Sequence, residues 1–416
     1  MEPLADLLTV REARFQILTH FKPVGTTRIA FDQGLARVLA ESIIAREDIP
    51  FFPNSSMDGY AVRSADLARA SQDQPVFLPV AGEIPAGRPD PITLQPGQAI
   101  RIMTGALLPD GADAIVPIEE VSEVSTQAGA PVIEFRSGAY PGQYIRPKGQ
   151  DLHAGDVIFQ SGRRLSATDL GLLASLGITE LLVYERPRVA LISSGDELIQ
   201  PTEPLVPGKI RDANSYLLAA LLAQNGIQVV PLGIAPDQFE AIQVKLGSAV
   251  GQQVDLIVTS AGVSVGTYDF VRAVIESRGK MEFWRVNIRP GKPIAFGAYR
   301  GVPIIGLPGN PVSAYVGFEV FVKPVLGRLS GQAAIEPQII PVKLREEIKS
   351  DGRESYLRAK VKLENGIWQA SLIGHQGSGN LRALTDANAL LIVPSGVKSL
   401  PAESVADAWL LNSDFL

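Results

Sequence analysis

Hydrophobic positions along this 416-residue chain fall into short, sharply punctuated runs. At the start, Leu7, Leu8, Ala13, Ile17 and Leu18 recur at near-helical spacing, which predicts one helix. Between Pro75 and Arg136 the pattern changes to VFLPVAGEI, ITLQPGQAIRI, DAIVPIEEV and PVIEF, each bounded by Gly, Pro or Asp. Such runs predict a β-rich unit. A further Gly- and Pro-rich run of β character over 140–160 leads to a helix at about 166–176, with Ser166 placed to cap it and Gly177 to end it.

From Arg188 the pattern changes again. RVALISS, IQVVPLGI, DLIVTS and PIIGLP read as short buried strands. DANSYLLAALLAQNG reads as a helix with a polar start and an Asn-Gly stop. Further helical runs are expected at 237–250, 269–277 and 311–326. Buried strands alternating with amphipathic helices predict a doubly wound α/β domain. Ligands of such sheets bind beyond the carboxyl ends of the strands, so the loops SSGDEL, SAGVSVGTYD and GLPGNP are the ones expected to carry chemistry. After about Leu329 strands return: YLRAKVKL and IWQASLI flank Asn365-Gly366 as a hairpin, and LLIVPSG and DAWLL complete a small barrel or sandwich.

Composition narrows the chemistry. Hydrophobic residues are 46% and charged residues 20%, ordinary globular usage that excludes a disordered chain. No stretch approaches the ~20 apolar residues of a membrane helix, and the acidic opening segment does not read as a secretory signal. There is no cysteine, so disulfides, thiolate metal sites and thiol nucleophiles are excluded, and three histidines leave little for a His-rich zinc site. A net charge of −6 argues against duplex nucleic acid as the main partner. The polar work falls to Asp, Glu, Lys, Arg, hydroxyls and backbone amides, in a chain expected to be cytoplasmic.

Each candidate loop has two readings. SAGVSVGTYD offers Ser260, Gly262, Ser264 and Gly266 between a strand and a helix, suited to an anion or simply to a tight turn. In GLPGNPVSA, Pro308, Gly309, Asn310, Pro311 and Ser313 repeat that logic, with Asn310 as N-cap and Pro311 as first helical residue. Neither loop is a Walker A motif or a dinucleotide fingerprint. SSGDEL places Ser193, Ser194, Gly195 and Glu197 after the first buried strand; Asp237 and Asp269 stand where later helices begin, as caps or as ligands. Acids gathered on one sheet edge suit Mg²⁺, which takes carboxylate, water and phosphate oxygens. FFPNSSMDGYAVRSAD has no helical or strand period yet is rich in side-chain chemistry, including Asp58. Thr104-Gly105 is placed to offer a hydroxyl and an amide to an oxyanion, and RPKGQD adds Arg146 and Asp151.

Taken together and in order, PNSSMDGYAV, RIMTGALLPDGADAIVPIEE, IRPKGQD, SSGDEL, SAGVSVGTYD, RPGKPIAFG and GLPGNPVSA resemble the MoeA-type molybdopterin molybdenumtransferases, the molybdenum insertases that include the gephyrin E domain. The resemblance runs from about Arg14 to the C-terminal strands. It implies an elongated homodimer and the following domains: residues 1–49, the N-terminal helix and first part of a linking domain; 50–145, β-rich; 146–180, the second part of the linking domain; 181–328, the molybdopterin-binding α/β domain; and 329–416, a β-barrel-like domain.

It also implies a cleft shared between the α/β domain of one subunit and the β-rich domain of the other. There adenylylated molybdopterin and molybdate would give molybdenum cofactor and AMP with Mg²⁺. Carried over by position, Asp58, Thr104, Asp151, Glu197, Asp237 and Asp269 would be catalytic, with Glu197, Asp237 and Asp269 near the metal. Arg146, Arg289, Lys292 and Ser313, with the Ser193–Gly195, Ser260–Gly266 and Pro308–Pro311 positions named above, would bind substrate. Arg289 stands where some relatives carry lysine, and Ala261 where many carry glycine. The rival readings are a molybdopterin adenylyltransferase using ATP and a non-catalytic pterin-binding scaffold. Adenylyltransferase and molybdoenzyme-maturation partners would follow from the same resemblance.

Overall fold

The computed structural model describes residues 7–88, 92–124, 131–261, 270–283, 285–332 and 337–411. The chain forms two compact units, one of Met1–Glu41, Ser161–Gly171 and Ile178–Leu416, the other of Ser42–Gln160 and Leu172–Gly177. Among the described residues no helix is long and apolar enough to cross a membrane.

In the first unit six strands make one sheet: β1 (Arg188–Ser194), β2 (Gln228–Ala235), β3 (Leu256–Ser260), β4 (Gly279–Phe283), β5 (Ala295–Tyr299) and β6 (Val302–Leu307), in the order β2-β1-β3-β6-β5-β4. The first four in that order are parallel. The helices α1 (Ala213–Gln224), α2 (Phe239–Gly251), α3 (Phe270–Arg278) and α4 (Pro311–Gly317) connect or follow them. Alternate residues of β1 feed opposite cores. Val189 and Leu191 join Leu218 and Leu222 of α1, while Ala190 and Ile192 join Ile242 and Leu246 of α2 and Ile275 of α3. Burial on both faces explains the uninterrupted apolar strands.

The antiparallel pair β4 and β5 is absent from the periodicity reading for a steric reason. A Cβ on Gly279 would lie 1.9 Å from the Ala298 carbonyl oxygen, and one on Gly297 would lie 2.4 Å from that of Lys280. Close cross-strand approach demands glycine there and erases the usual strand pattern.

The opening helix runs Val10–Thr19 and lays Val10, Ala13 and Ile17 into the core that also holds α1. Thr9 and Glu12 close it with a capping box. The expected single helix over 311–326 is α4 followed by a π-helical turn at Phe318–Val322 and an α-helix at Lys323–Leu329. Beyond it, Glu354–Glu364, Ile367–Leu372, Ile339–Leu344, Val405–Leu410 and Ala389–Val393 pair in that order, and the last returns to the first. The result is a closed five-stranded barrel, so the barrel and not the sandwich is realised. Its hairpin turns on Asn365 and Gly366, at φ 52° and 77°.

The second unit holds a six-stranded sheet whose strands, in spatial order, are Ala114–Pro117, Gly59–Val62, Ala99–Ile102, Val76–Ile84, Val132–Phe135 and Val121–Val124. Gly59 lies flat against its neighbour: a Cβ there would sit 2.1 Å from the Val116 carbonyl oxygen. Gly59→Ala is therefore expected to destabilise this unit by about 3 kcal/mol, the upper end for overpacking. Gly366→Ala, with open space around it but a left-handed backbone, should cost about 1 kcal/mol. Urea unfolding of the two variants checks the order.

Candidate active site

Strands β1, β3 and β6 end level with one another, because Ser193 pairs with Ser260 and Ser260 with Leu307. The loops that follow therefore open on one edge of the sheet. The neighbours of β1 lie one on each side, at the point where the winding reverses and ligands of such sheets bind. A cleft of about 570 Å³ lies here. Glu197 and Leu198 line it after β1, Ser260 and Ala261 at the end of β3, and Pro308–Pro311 at the entry to α4. The start of α1 adds Asp212 and Asn214, and Gly379 comes from the barrel.

Gly195 makes room for the acid beside it. The Glu197 carboxylate oxygens lie 2.6 and 2.8 Å from where a Gly195 Cβ would be, so a side chain at 195, already disfavoured by a φ of 151°, would displace the Glu197 carboxylate. Asp196 accepts a hydrogen bond from the Asp237 backbone N–H at 3.1 Å. Burial pushes the Asp237 carboxyl up, and the nearby negative charges of Asp196 and Glu197 push the same way. Asp237 is not a helix cap: α2 begins with Gln238 at that position. Its placement is electrostatic. Among the described residues no three His, Asp or Glu side chains close a metal cage by themselves.

Hydroxyls and amides hold the cleft's floor. Asp212 caps α1 by accepting from the Ser215 N–H at 3.0 Å and the Ser215 hydroxyl at 2.6 Å. Ser215 Oγ lies 2.8 Å from that of Ser193, which turns Ser193 toward α1. Asn214 donates through Nδ2 to Ser260 Oγ at 2.7 Å and to the Gly309 carbonyl at 2.8 Å. The Ser194 hydroxyl is buried without a partner. Asn310 does occupy the N-cap position and Pro311 the first turn of α4, but the Asn310 side chain makes no capping bond. Ser313 is buried against Gly291. Arg289 and Lys292 do not line the cleft; Arg289 pairs alongside Ser355 of the barrel, and the adjoining Pro293 does reach the lining.

Ala261 adopts φ 73°, the left-handed region that glycine enters freely. Arg358 is a side chain that sequence reading missed. It is 1% exposed on the outer face of the barrel wall, since its neighbours Leu357 and Ala359 are the ones that enter the barrel core. It donates to the carbonyls of His375 at 2.9 Å and Gly377 at 3.2 Å, while its Nε has no partner among the described residues. Burial pulls its pKa down. The loop it holds gives the Ser378 carbonyl to the Val312 N–H at 3.0 Å and places Gly379 in the cleft wall. Asp212 and Asn214 were likewise read only as a polar helix start.

In the second unit, Asp58 and Thr104 meet. Asp58 Oδ1 accepts the Thr104 N–H at 2.6 Å and its hydroxyl at 2.8 Å. The oxyanion served by this donor pair is thus the Asp58 carboxylate. These two bonds, amide first, hold the Asp58 carboxyl below the usual carboxylate range, with help from the charge of Arg101. Asp58 is exposed, as are Arg146 and Asp151. Arg146 pairs with Asn54 across a two-residue bridge, and the Asp151 N–H bonds the Ile49 carbonyl at 2.9 Å. Asp269, Gly262, Ser264 and Gly266 lie outside the described residues.

Thr104→Val removes one of the two donors to Asp58, so the Asp58 titration is expected to move up toward, but not reach, an ordinary aspartate. An NMR titration of the carboxyl carbon reads the shift; an unmoved pKa would show that the hydroxyl does not hold the carboxylate.

The chain matches three family descriptions in sequence: the MoeA N-terminal region (domain I and II) over residues 8–177, a "Probable molybdopterin binding domain" over 190–328, and the MoeA C-terminal region (domain IV) over 341–411. It is 39% identical over 367 residues to the molybdopterin molybdenumtransferase of Nostoc sp., covering 86% of this chain and 83% of that one. It is 41% identical over 390 residues to molybdopterin molybdenumtransferase 2 of Mycobacterium tuberculosis, covering 91% and 93%. Its fold superposes on the crystal structure of a molybdopterin biosynthesis MoeA protein from Pyrococcus horikoshii OT3 with a TM-score of 0.81 at 29% identity, over 97% of this chain and 100% of that one. With relatives of that identity and coverage, the chain belongs to the MoeA family of molybdopterin molybdenumtransferases.

Proposed function

We propose that this chain is a molybdopterin molybdenumtransferase of molybdenum cofactor biosynthesis, and that it joins molybdate to adenylylated molybdopterin with release of AMP. The observation that carries the reading is the cleft at the level ends of β1, β3 and β6, which Glu197, Ser260 and the Gly309 loop line together. An acid-edged, amide-rich crevice of this kind suits an anion brought in with a cation. Magnesium fits the residues present. Burial and the crowding of Asp196 and Glu197 make the ionised form of Asp237 costly, which is the condition a hard dication relieves. Mg²⁺ commonly takes one or two carboxylates together with substrate phosphates and water. Glu197 and Asp237 are the described residues that would hold it, with Asp269 as the third expected acid. When bound, it supplies neutralisation of charge on the phosphoanhydride.

The chain's own groups then orient and polarise. Ser260, the Gly309 loop and the first turn of α4 bind anionic oxygens; Arg289, Lys292 and Ser313 are assigned to oxyanion binding by the resemblance alone, since none of the three is among the residues that line the cleft. No side-chain nucleophile is required, since the substrate's dithiolene captures the molybdenum while the phosphoanhydride is cleaved by water. Asp58, held ionised by Thr104, is assigned to the cleft of a partner subunit in a homodimer, along with Arg146 and Asp151. The basis is the resemblance, together with the division of the acids between two units. A cytoplasmic location goes with the same reading.

A single-turnover assay with adenylylated molybdopterin, Mg²⁺ and molybdate tests it. Wild-type protein should release AMP only when molybdate is present, and Asp58→Ala and Asp269→Ala should each slow release by about 100-fold or more. Formation of adenylylated molybdopterin from ATP would instead make it the adenylyltransferase. Subunit sharing is tested by mixing Asp58→Ala with Glu197→Ala protein. Random exchange makes half the dimers mixed, each with one intact cleft of two, so about a quarter of wild-type activity should return. No recovery, or a monomer by light scattering, would remove the shared cleft.

A further inference from the structure

We infer that Asn214 is a positioning residue which sets the proton of Ser260, turning that hydroxyl into a fixed donor for an oxyanion in the cleft. The inference rests on the proposed function only in taking the cleft to bind an anion.

Asn214 is 7% exposed and Ser260 2% exposed, so neither relies on bulk water for its hydrogen bonds. The two hydrogens of the Asn214 amide go to Ser260 Oγ at 2.7 Å and to the Gly309 carbonyl at 2.8 Å. A carbonyl oxygen only accepts, so the second bond fixes which end of the amide faces Gly309. The same amide must then donate to Ser260 as well. A serine oxygen that receives a hydrogen keeps its own hydrogen to give. Among the described residues nothing takes the Ser260 proton, and Ser260 lines the cleft.

The bond to Gly309 has a second effect. It fixes the plane of the 309–310 peptide, which is rigid, at the entry to α4. One side chain thereby adds to the backbone pairing of β3 and β6 a tie between Ser260 and the loop at Gly309, two walls of the cleft. The cost is visible: among the described residues the buried Asn214 Oδ1 has no partner. A buried unsatisfied carbonyl is unfavourable, and it is tolerated here beside two short bonds made by the same amide. The ligand class is a tetrahedral oxyanion, either a nucleotide phosphate or molybdate.

The variants are Asn214→Asp, Ser260→Ala and the pair combined, titrated calorimetrically with AMP and, separately, with molybdate. Asn214→Asp keeps the shape but replaces the donor by an acceptor, so the Ser260 proton is drawn inward. Ser260→Ala should weaken one of the two probes by about tenfold or more, the size expected for a hydrogen bond to a charged group. Asn214→Asp should weaken the same probe at least as much, and the double variant should be no weaker than Asn214→Asp alone. That coupling separates positioning through Ser260 from a merely structural loss, whose effect would multiply with that of Ser260→Ala. The probe that responds identifies the oxyanion served.

Independent, multiplying losses, or wild-type affinity for both probes in either single variant, would overturn the inference while leaving the proposed function standing. Wild-type protein that binds neither AMP nor molybdate would bring down both. Should Asn214→Asp fail to fold, Asn214→Ala removes both donors without adding a charge. It must show the same coupling with Ser260→Ala, and its absence would be equally decisive.

Discussion

Three parallel strands that stop at the same height govern most of what this molecule can do. Ser193, Ser260 and Leu307 are cross-strand partners, so the chain segments after β1, β3 and β6 are released at one line and on one edge. Everything polar in the cleft depends on that alignment. A shift of one residue in β3 would turn Ser260 to the opposite face of the sheet, away from Asn214. The strands hold their register because both faces are packed, with alternate β1 residues in separate cores. Packing far from the cleft therefore sets the placement of its hydroxyls.

The two units handle negative charge in opposite ways. At Asp58 an amide and a hydroxyl converge on one carboxylate oxygen, and the acid is held ionised. At Asp237 the surroundings resist ionisation through burial and through the neighbouring acids Asp196 and Glu197. The first arrangement is self-sufficient. The second leaves the ionised carboxylate unfavourable, the electrostatic situation that a nearby positive charge would relieve. Arg358 shows a third solution: a buried cation with carbonyl partners alone, used to hold a loop against α4.

The sequence made the parallel core legible because strands buried on both faces become continuous apolar runs, as RVALISS and DLIVTS do. The Asn365-Gly366 hairpin was legible through the φ > 0 requirement of its turn. Strands β4 and β5 were not, since glycines forced by close backbone approach sit where side-chain alternation would be read. Of the candidate site, Glu197, Ser260 and Pro308–Pro311 were legible as loop residues after strands and do line the cleft. Asn214 was hidden because an asparagine early in a helix looks like ordinary N-terminal polarity. Arg358 was hidden for a related reason: a charged residue in an alternating strand reads as solvent-facing, and it does face out of the barrel, but the loop of His375 and Gly377 lies over it and buries it. Gly379 could not be reached from sequence at all, lying 68 residues beyond Pro311, the nearest other lining position.

The methyl group of Ala261 has a reach beyond its own backbone. It stands 3.3 Å from the place a side chain at 309 would begin. Gly309, whose own φ imposes no demand for glycine, would as alanine press on that methyl, and one of the two would have to give by a few tenths of an ångström. The two walls are therefore coupled in volume: an Ala261→Gly change would free space for a side chain at 309, which would narrow the crevice from the opposite side.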